Sequence, residues 1–521
     1  MSIIHRRDFI KKSGVYSAGA FIIPHFDPSG KINTAGLPRA TPESMGVSSE
    51  SILQYLQEAN KSGLEHHGFM FLRHGKVIAE AYWKPFERHQ VHTLYSLSKS
   101  FTSTAVGLAI QEGKIRVNDK IISFFPDLLP EVVSDNLAKM EIRHALSMAT
   151  GHTVDTIPSM RATQNVSWVK TFLARPVEKE PGTHFLYNTG ATYILSAIVT
   201  KVTGQPIQEY LSTRLYKPLG ITQSDWEQSP EGINLGGYGL RVSADDIARF
   251  GQLYLQKGAW EGKQIIPASY VDEATVSHIS SNPGDGDWSQ GYGYQFWRCK
   301  PGFYRGDGAF GQYCIVMPQH DAVLVVLSES TDMQKQMTMM WNALLQGIHS
   351  QVLPDNKNKQ EELTQWIKGL ALPAQLGMAD TRISKSLNGK LFQLNENQWA
   401  WNSLQINSGN KGGHLLLKGK RDTIEIPFGW NEWKISGYRL PNPFGNDYRS
   451  KMTSNVAATA GCTPEDTLKI RLKYTEGIHG DLLTLLQNGG NEIELSMLHS
   501  LSEKNPNNKE SRPVVTGVIG M

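Results

Sequence analysis

Residues 95–102 read Tyr-Ser-Leu-Ser-Lys-Ser-Phe-Thr and place Ser96 three positions before Lys99, at the predicted start of an apolar helix. Residues three apart on a helix share one face, with Cβ atoms about 5–6 Å apart, so these two side chains can meet. A serine hydroxyl becomes a useful nucleophile when a neighbouring base takes its proton. A lysine removed from water can be that base, because burial disfavours the charged ammonium and lowers its pKa. The stretch therefore predicts two parts of a serine hydrolase that works through a covalent intermediate.

The surrounding sequence distinguishes this pair from a second Ser-x-x-Lys pattern, Ser167 to Lys170. Small and apolar residues follow Ser96 as far as Gly113, and a helix that is apolar on most sides belongs in an interior. Ser167 lies in a mixed, polar stretch instead. The alternative for Ser96 is a helix N-cap, in which its hydroxyl would bind a backbone N–H group.

Composition describes an ordinary globular chain and argues against several partner classes. At about 150 residues per domain, the chain of 521 residues corresponds to roughly three domains. Hydrophobic residues make up 40% and charged residues 19%, and the formal net charge is +3. No block of lysine and arginine stands out in the body, which argues against nucleic acid as the partner. Cys299, Cys314 and Cys462 are too scattered for a disulfide framework or a zinc site, and we expect no metal and no cofactor.

The N-terminal residues predict export. Arg6 and Arg7, followed by Phe9, precede a short and weakly hydrophobic run over residues 13–23, which resembles a twin-arginine signal. The alternative is a basic N-terminal helix of a cytosolic protein. The run is far shorter than the roughly 20 residues of a membrane span, and no later segment of the sequence reaches that length. We therefore expect an exported, periplasmic protein without a stable membrane span, whose mature chain begins between residues 20 and 37.

Hydrophobic periodicity predicts a mixed α/β (α+β) body. Two β-rich runs flank the turn at Gly75 and predict a hairpin over residues 68–83. Helices are predicted over residues 141–151, 191–202 and 243–258, the last beginning at a Ser243 cap. Strands are predicted over residues 292–297, 313–317 and 322–328. Because the connections between these strands are too short for parallel crossovers, the sheet is predicted to be antiparallel.

The predicted organisation has five parts. These are an export signal and N-terminal segment over residues 1–36, a hydrolase domain over 37–353, a polar linker over 354–370, a β-rich C-terminal domain over 371–505 and a loose tail over 506–521. The C-terminal domain is assigned from runs of period two, such as Leu468–Leu472 and Glu492–Leu495, which predict the short strands of a small barrel or sandwich. Its sequence offers no catalytic cluster, so we expect the chemistry in the hydrolase domain.

Two further segments offer groups that acyl transfer needs. Tyr187 lies in a glycine-bounded loop ahead of an apolar helix, and a phenol beside a lysine can share the proton transfer to and from a serine. The ammonium is expected to lower the pKa of the phenol; a structural tyrosine is the alternative. Gly306, Asp307 and Gly308 lead into an apolar strand, and glycines let backbone N–H groups approach a developing oxyanion. An ordinary loop before a strand is the alternative there.

Seven stretches carry a resemblance to a known family. They are, in chain order, Pro42–Val47, Ser96–Lys99, Leu146–Gly151, Pro181–Tyr187, Gly237–Asp246, Tyr292–Trp297 and Gly308–Gln312. In this order, they resemble the serine β-lactamase and penicillin-binding-protein-like hydrolases, in the branch of class C β-lactamases, D-alanyl carboxypeptidases, esterases and 6-aminohexanoate-dimer hydrolases. The resemblance implies an antiparallel sheet flanked by helices, with an all-helical subdomain. It also implies that Ser96 is the nucleophile, Lys99 the general base and Tyr187 the proton shuttle.

Two motifs depart from the family pattern. The second family motif is Tyr-x-Asn, whereas here Thr189 takes the third place and Asn188 stands one position early. The third motif usually carries a lysine or a histidine, but the corresponding strand offers Gly306–Gly308 here, or Arg305 in a shifted register. Without that cation, a β-lactam or peptide carboxylate loses its main charge partner.

We therefore predict an exported serine hydrolase that cleaves an ester or amide bond of a small molecule or peptide through a Ser96 acyl-enzyme. Asn188 and Thr189 are expected at the substrate, and the N–H groups of Ser96 and of the Gly306–Gly308 strand at the oxyanion. A penicillin-binding D-alanyl peptidase or a β-lactamase is the enzymatic alternative. A non-catalytic binding protein of the cell envelope that keeps the fold is the alternative from another class.

Overall fold

The computed structural model describes residues 36–163, 166–379, 381–420, 422–444, 453–463, 467–505 and 507–520. The predicted export signal and N-terminal segment covers residues 1–36, and residues 1–35 of it lie outside the described residues. The α-helices are α1 Ser49–Lys61, α2 Ser98–Gln111, α3 Asp135–Lys139, α4 Ile142–Leu146, α5 Ile157–Ala162, α6 Trp168–Leu173, α7 Thr189–Thr203, α8 Ile207–Leu211, α9 Lys217–Leu219, α10 Ala244–Leu255, α11 Ala268–Thr275, α12 Met333–Leu344, α13 Lys357–Lys368, α14 Arg382–Leu387 and α15 Ser500–Lys504. None of these described helices is both long and apolar enough to cross a bilayer.

The strands divide between the two halves of the chain. Those of the first half are β1 Glu65–Arg73, β2 Lys76–Tyr82, β3 His92–Thr93, β4 Asp225–Trp226, β5 Leu240–Val242, β6 Ala259–Trp260, β7 Lys263–Gln264, β8 Trp297–Arg298, β9 Tyr304–Gly308, β10 Gln312–Met317 and β11 Ala322–Glu329. Those of the second half are β12 Leu391–Leu394, β13 Trp401–Gly409, β14 Gly412–Gly419, β15 Thr423–Trp430, β16 Lys434–Pro441, β17 Thr453–Thr463, β18 Thr467–Tyr474, β19 Gly480–Asn488, β20 Glu492–His499 and β21 Val515–Ile519.

A six-stranded antiparallel sheet in the order β2-β1-β11-β10-β9-β8 lies at the centre of the hydrolase domain. Successive side chains of a strand point to opposite faces. In β1, Phe69 and Phe71 accordingly join one hydrophobic core, and Met70 and Leu72 join the other. Helices α1 and α12 cover the first face, and α10 covers the second together with α2 and α7. Because both faces are covered, the central strands read as continuous apolar runs.

Helix α2, which follows Ser96, is an interior helix as its composition predicts. Twelve of its fourteen residues are buried, so its polar side chains need partners inside the protein. Ser100 Oγ donates a hydrogen bond to the carbonyl of Gln295, and Thr102 Oγ1 donates one to the carbonyl of Gly236, at 2.9 Å each. These bonds fix the first turns of α2 against two loops of the domain.

The predicted hairpin, the helix capped by Ser243 and the strands at residues 313–317 and 322–328 are confirmed. Two other predicted elements are shorter than expected. The helix over residues 141–151 is only α4, because Met148 adopts φ +58, which a helix cannot continue. The strand over residues 292–297 is wrong except at Trp297, since Gln295 adopts φ +66 and its side chain binds two carbonyls of the α4 segment.

The predicted linker is a packed helix. Residues 354–370 contain α13, whose Leu363 is buried in the same hydrophobic core as α1 and α12. The polar residues that suggested a linker lie on the exposed side of this amphipathic helix. The connection between the two domains is therefore held against the hydrolase domain.

The C-terminal domain is a ten-stranded barrel. Its strands follow the order β15-β14-β13-β12-β21-β20-β19-β18-β17-β16, and Gly429 and Trp430 of β15 pair in parallel with Thr459 and Ala460 of β17, which closes the sheet. The period of two that predicts these strands places Leu468, Ile470 and Leu472 of β18 in the barrel core. Strand β21 pairs with β12 and β20, so the predicted loose tail over residues 506–521 is wrong at Val515–Ile519.

A buried cluster of charges joins the barrel to the hydrolase domain. Glu65 of β1 and Glu329 of β11 each bind two barrel ammonium groups, Lys473 Nζ at 2.6 and 2.8 Å and Lys504 Nζ at 2.9 and 2.7 Å. Burial alone would raise the pKa of Glu329, but Lys473, His479 and Lys504 hold it well below its usual range. The carboxylates therefore stay charged at neutral pH, and this contribution to stability is lost only in acid.

Removal of one buried ammonium group should destabilise the protein strongly. In Lys473→Met, Glu65 and Glu329 keep only part of their neutralisation, which we expect to cost about 3 kcal/mol of unfolding free energy. Lys469→Met on the same strand is the control, because Lys469 is half-buried and outside the cluster; its expected effect is within about 0.5 kcal/mol. Urea unfolding at pH 7 measures both values, and equal stabilities of the two variants would contradict a structural role for the cluster.

Candidate active site

Ser96 lies in a 3-10 turn, Tyr95–Leu97, that leads directly into α2. The residues in the N-cap positions of this turn and of α2 are Leu94 and Leu97, and neither makes a side-chain cap. The N-cap alternative for Ser96 is therefore wrong. Tyr95, which precedes the serine, has φ +47, a left-handed conformation that is uncommon for a residue with a side chain.

Lys99 is buried to 1% exposure, and its amine faces the serine. The Nζ atom lies 3.1 Å from Ser96 Oγ, 2.8 Å from the carbonyl oxygen of Gly237 and 3.4 Å from Thr189 Oγ1. A protonated amine has three N–H donors for these three oxygens. A neutral amine keeps two donors for Gly237 and Thr189, and its lone pair can accept the proton of the serine.

Burial decides the charge state of Lys99. It lowers the pKa of the amine to about 7, although Asp155 and Asp307 act in the opposite direction. A pKa near the working pH is the value at which a group is both sufficiently unprotonated and sufficiently basic for general base catalysis. The amine can therefore exchange a proton with Ser96 at neutral pH.

Tyr187 contacts both groups. Its ring centroid lies 4.8 Å from Lys99 Nζ, and the Ser96 side chain lies close enough to act on the pKa of its hydroxyl. The ring stacks on Trp297, with centroids 5.5 Å apart and planes at 22°. The expectation that Lys99 lowers the pKa of this phenol is wrong: burial raises it, because the phenolate would be desolvated, and Asp307 and Asp155 act in the same direction. Tyr187 is therefore a neutral O–H group that can pass a proton on.

Thr189 and Asn188 lie on opposite sides of the start of α7. Thr189 Oγ1 faces Lys99, as described above. Asn188 is fully buried and caps the helix: its Oδ1 accepts hydrogen bonds from the backbone N–H of Gly190 and from the N–H and hydroxyl of Thr156. This corrects the expectation that Asn188 lies at the substrate, because its polar atoms are directed into the subdomain. Of the two candidates, only the hydroxyl of Thr189 reaches the catalytic groups.

The glycine strand passes close to the nucleophile. A Cβ atom on Gly306 would lie 2.2 Å from Leu97 Cδ1, and one on Gly308 would lie 2.1 Å from the carbonyl oxygen of Leu94, so only glycine permits this approach. Strand β8 pairs with β9 only as far as Arg305. Within the described residues, the edge of β9 from Gly306 to Gly308 therefore has no strand beside it and faces the turn that carries Ser96.

Asp307 and Arg305 form an ion pair inside the domain. Arg305 is fully buried, its Nε lies 2.8 Å from Asp307 Oδ2, and its guanidinium lies 4.6 Å from the ring centroid of Trp288. Burial raises the pKa of Asp307, and Arg305 opposes that shift. The shifted register in which Arg305 would bind substrate is therefore wrong, because its guanidinium is turned inward and paired. The Gly306–Gly308 strand therefore presents no cation to a substrate.

One group of side chains has the composition of a metal site. Glu65, His67 and Glu329 each offer a ligand atom, and these atoms lie within 4.8 Å of one another. The ammonium groups of Lys473 and Lys504 already bind both carboxylates and place positive charge where a metal ion would sit. These residues fit an interdomain ion-pair cluster better than a metal centre.

The second Ser-x-x-Lys pattern has a structural role. Ser167 caps α6, where its Oγ accepts a hydrogen bond from the backbone N–H of Lys170. Sequence reasoning missed Asp155, whose Oδ1 accepts from the N–H groups of Thr189 and Gly190, since no motif marks it. It also gave no role to Gly237, although this residue begins one of the family stretches.

Comparison with known proteins places this chain in a family. The family model described as Beta-lactamase matches residues 54–347. The chain belongs to this family. Its sheet, its flanking helices and its separate C-terminal barrel confirm the predicted fold class, and the members that it resembles are hydrolases.

Several members of the family are similar to this chain. The 6-aminohexanoate-dimer hydrolase of Paenarthrobacter ureafaciens is 26% identical over 300 residues, which cover 54% of this chain and 76% of that protein. A Salmonella agona protein named provisionally as a D-alanyl-D-alanine carboxypeptidase is 22% identical over 213 residues, and the chain spans only 49% of its length. Among solved structures, EstCE1, a hydrolase with promiscuous acyltransferase activity, is 16% identical and has a TM-score of 0.49, with 58% of this chain and 98% of EstCE1 covered.

The reactivity of Ser96 should follow the titration of Lys99. With a pKa of about 7, the neutral fraction of the amine rises about tenfold from pH 6 to pH 8, and the rate of Ser96 labelling by a fluorophosphonate probe should rise with it. In Lys99→Met, the residual rate of Ser96 labelling should be lower and should no longer change around pH 7. A wild-type rate that is flat across this range would contradict Lys99 as the base.

Proposed function

We propose that the protein is an exported serine hydrolase that cleaves an ester or amide bond through an acyl-enzyme on Ser96. One observation carries the proposal: the amine of Lys99, buried and with its pKa lowered to about 7, lies 3.1 Å from Ser96 Oγ. A nucleophile that is hydrogen-bonded to a base, with the base oriented by further groups, is the arrangement that covalent catalysis requires. Gly237 and Thr189 orient the base here.

The first half of the reaction forms the acyl-enzyme. Ser96 Oγ attacks the carbonyl carbon of the substrate while its proton moves to Lys99 Nζ. The N–H of Ser96 and an N–H of the Gly306–Gly308 edge bind the oxyanion of the tetrahedral intermediate. When the intermediate collapses, the bond to the leaving group breaks, and Tyr187 delivers the proton from Lys99 to the departing alcohol or amine.

The second half releases the acyl group. Water attacks the ester of Ser96, and its proton passes to Lys99 through Tyr187. The tetrahedral intermediate then expels Ser96 Oγ, which takes the proton back. Over the full cycle, Ser96 and Lys99 return to their starting protonation states. Every proton transfer in the cycle is made by one of these side chains or by Tyr187.

The charge of the site favours neutral or cationic substrates. The Gly306–Gly308 strand offers no cation for a substrate carboxylate, and Asp155 and Asp307 lie close enough to act on the pKa of Lys99. A relative named as a 6-aminohexanoate-dimer hydrolase supports an amide bond as well as an ester bond as the target. The relatives named as carboxypeptidases favour the second candidate, a D-alanyl peptidase, but the Gly306–Gly308 strand offers no charge partner to the terminal carboxylate of such a peptide.

Export is proposed from the sequence of residues 1–36. The arginine pair and the short hydrophobic run that follows it support translocation by the twin-arginine route to the periplasm. Fusion of residues 1–36 to a reporter that is active only outside the cytoplasm tests this, with Arg6→Lys/Arg7→Lys as the matched control. Equal export of both fusions would contradict the assignment.

Removal of the Ser96 hydroxyl should abolish the chemistry without unfolding the protein. We expect Ser96→Ala to lose fluorophosphonate labelling and to lower the turnover of p-nitrophenyl butyrate at least about 10³-fold. Ser167→Ala is the matched control from the second Ser-x-x-Lys pattern, and it should keep both activities. Labelling that persists in Ser96→Ala would remove this serine from the mechanism. If neither the wild type nor Ser167→Ala turns over the ester, a non-catalytic binding protein would be favoured.

Substrate charge should separate a hydrolase of neutral bonds from a β-lactamase. Because the Gly306–Gly308 strand offers no cation to bind a carboxylate, we expect the kcat/KM for nitrocefin to be at least about 10²-fold below that for p-nitrophenyl butyrate, the effect of roughly 3 kcal/mol of lost charge contact. Steady-state kinetics with both substrates measures the ratio. A kcat/KM for nitrocefin equal to that for the ester would support the β-lactamase alternative.

A further inference from the structure

A cavity of about 600 Å³ lies between the hydrolase domain and the barrel. Both domains contribute to its lining, the hydrolase domain through Thr93, Tyr95 and Phe310 and the barrel through Tyr474, His479 and Ser502. Ligand sites for small organic molecules usually enclose about 300–1,000 Å³. The size of the cavity therefore suits part of a small-molecule substrate.

The wall of this cavity belongs to the same backbone segments as the catalytic groups. Tyr95 immediately precedes Ser96, and Phe310 follows Gly308 by two residues. Both are left-handed, with φ +47 at Tyr95 and φ +65 at Phe310. Such conformations persist in residues with side chains only where their surroundings hold them, and they cluster at functional sites. Through these two residues, the cavity adjoins the backbone segments that carry the nucleophile and the proposed oxyanion strand.

His479 of the barrel contacts both of these strained residues. Its Nε2 lies 2.8 Å from Tyr95 Oη, and its ring centroid lies 4.9 Å from that of Phe310, edge to face. Its Nδ1 lies 2.7 Å from Oε1 of the buried Glu329. A carboxylate can only accept, so Nδ1–H donates to Glu329, and in the neutral imidazole Nε2 is left to accept from the hydroxyl of Tyr95. The barrel thereby orients the side chains on either side of the nucleophile.

The lining combines aromatic rings with charged side chains. Six of the residues around the cavity carry a ring: Tyr95, Phe310, Phe444, Tyr474, His479 and His499. Five carry a charge, Glu227, Arg241, Lys509, Glu510 and Arg512, of which Arg241 and Arg512 are ion-paired with Asp225 and Asp481. Ring faces and edges bury apolar and planar groups favourably and make few demands on polar partners, so the aromatic part of the lining fits an apolar or aromatic substituent.

We propose that this cavity is a substrate subsite, which binds an apolar or aromatic group on one side of the scissile ester or amide bond, and that the barrel completes it. The inference rests on the proposed function, since it assigns a specificity pocket to the Ser96 reaction. It gives the C-terminal domain a role in substrate selection. His479 is the positioning residue of the subsite, acting on the substrate through Tyr95 and Phe310.

Filling the cavity from the barrel side tests the subsite. Ser502→Trp and Asn508→Trp each place an indole at a lining position, whereas Ser408→Trp places one on the barrel away from the cavity. One arm compares p-nitrophenyl acetate with p-nitrophenyl octanoate, which varies the acyl side. The other compares ethyl butyrate with 2-naphthyl butyrate, which varies the leaving group. Thermal unfolding establishes that each variant is folded, and the exposed Asn508 provides the milder of the two substitutions.

The expected result is a change of selectivity. In at least one arm, the ratio of kcat/KM for the bulky ester to that for the small ester should fall at least tenfold in both filled variants, mainly through KM, while Ser408→Trp keeps the wild-type ratio. His479→Ala should lower the same ratio in the same arm. Ratios that stay at the wild-type value in both arms, with wild-type turnover intact, would overturn the subsite and leave the proposed function standing. Wild-type protein that neither turns over any ester nor is labelled at Ser96 would overturn the proposed function and the subsite with it.

Discussion

The buried contact between the amine of Lys99 and the hydroxyl of Ser96 is the interaction on which the rest of the site depends. A lysine in water would be an ammonium ion at neutral pH and could not accept a proton from serine. Burial of Lys99 removes that barrier at the expense of stability, because the unfolded chain binds more protons than the folded one between about pH 7 and the ordinary lysine pKa of 10.5. The folding free energy lost in this way diminishes as the pH rises through that window. The protein thus holds a neutral base in contact with the nucleophile, at a cost in folding stability.

Several elements hold this base in place. Helix α2 presents Lys99 to Ser96 in the turn before it, α7 brings Thr189, and the loop before β5 brings the carbonyl of Gly237. Tyr187 closes the site on the remaining side and is itself held by its stack on Trp297. The two large cores behind α2 and the sheet make these positions rigid, and rigid placement of reacting groups is worth a large part of a catalytic barrier.

The C-terminal barrel is bound to this arrangement by charge. Lys473 and Lys504 reach from the barrel into the buried carboxylates of Glu65 and Glu329, and Glu329 in turn orients His479 beside Tyr95. A single carboxylate therefore links the attachment of the barrel to the backbone that carries the nucleophile. Buried ion pairs of this kind contribute geometric definition as much as stability, because each charge tolerates few other positions.

The sequence by itself determined the local chemistry. The Ser-x-x-Lys spacing, the apolar helix behind it and the glycines of β9 follow from rules that act within a few residues. The fold class was predicted from hydrophobic periodicity along the chain together with the family resemblance. Only the tertiary structure decided what depends on contacts between distant residues. The inward turn of Asn188 and Arg305, the raised pKa of Tyr187, the packed helix in place of a linker and the contact of His479 with Tyr95 are of this second kind. Asn188 and His479 are set by partners 32 and 150 residues away in the chain, Thr156 and Glu329. Arg305 is set by its complete burial around the pair with Asp307. No local pattern encodes such surroundings.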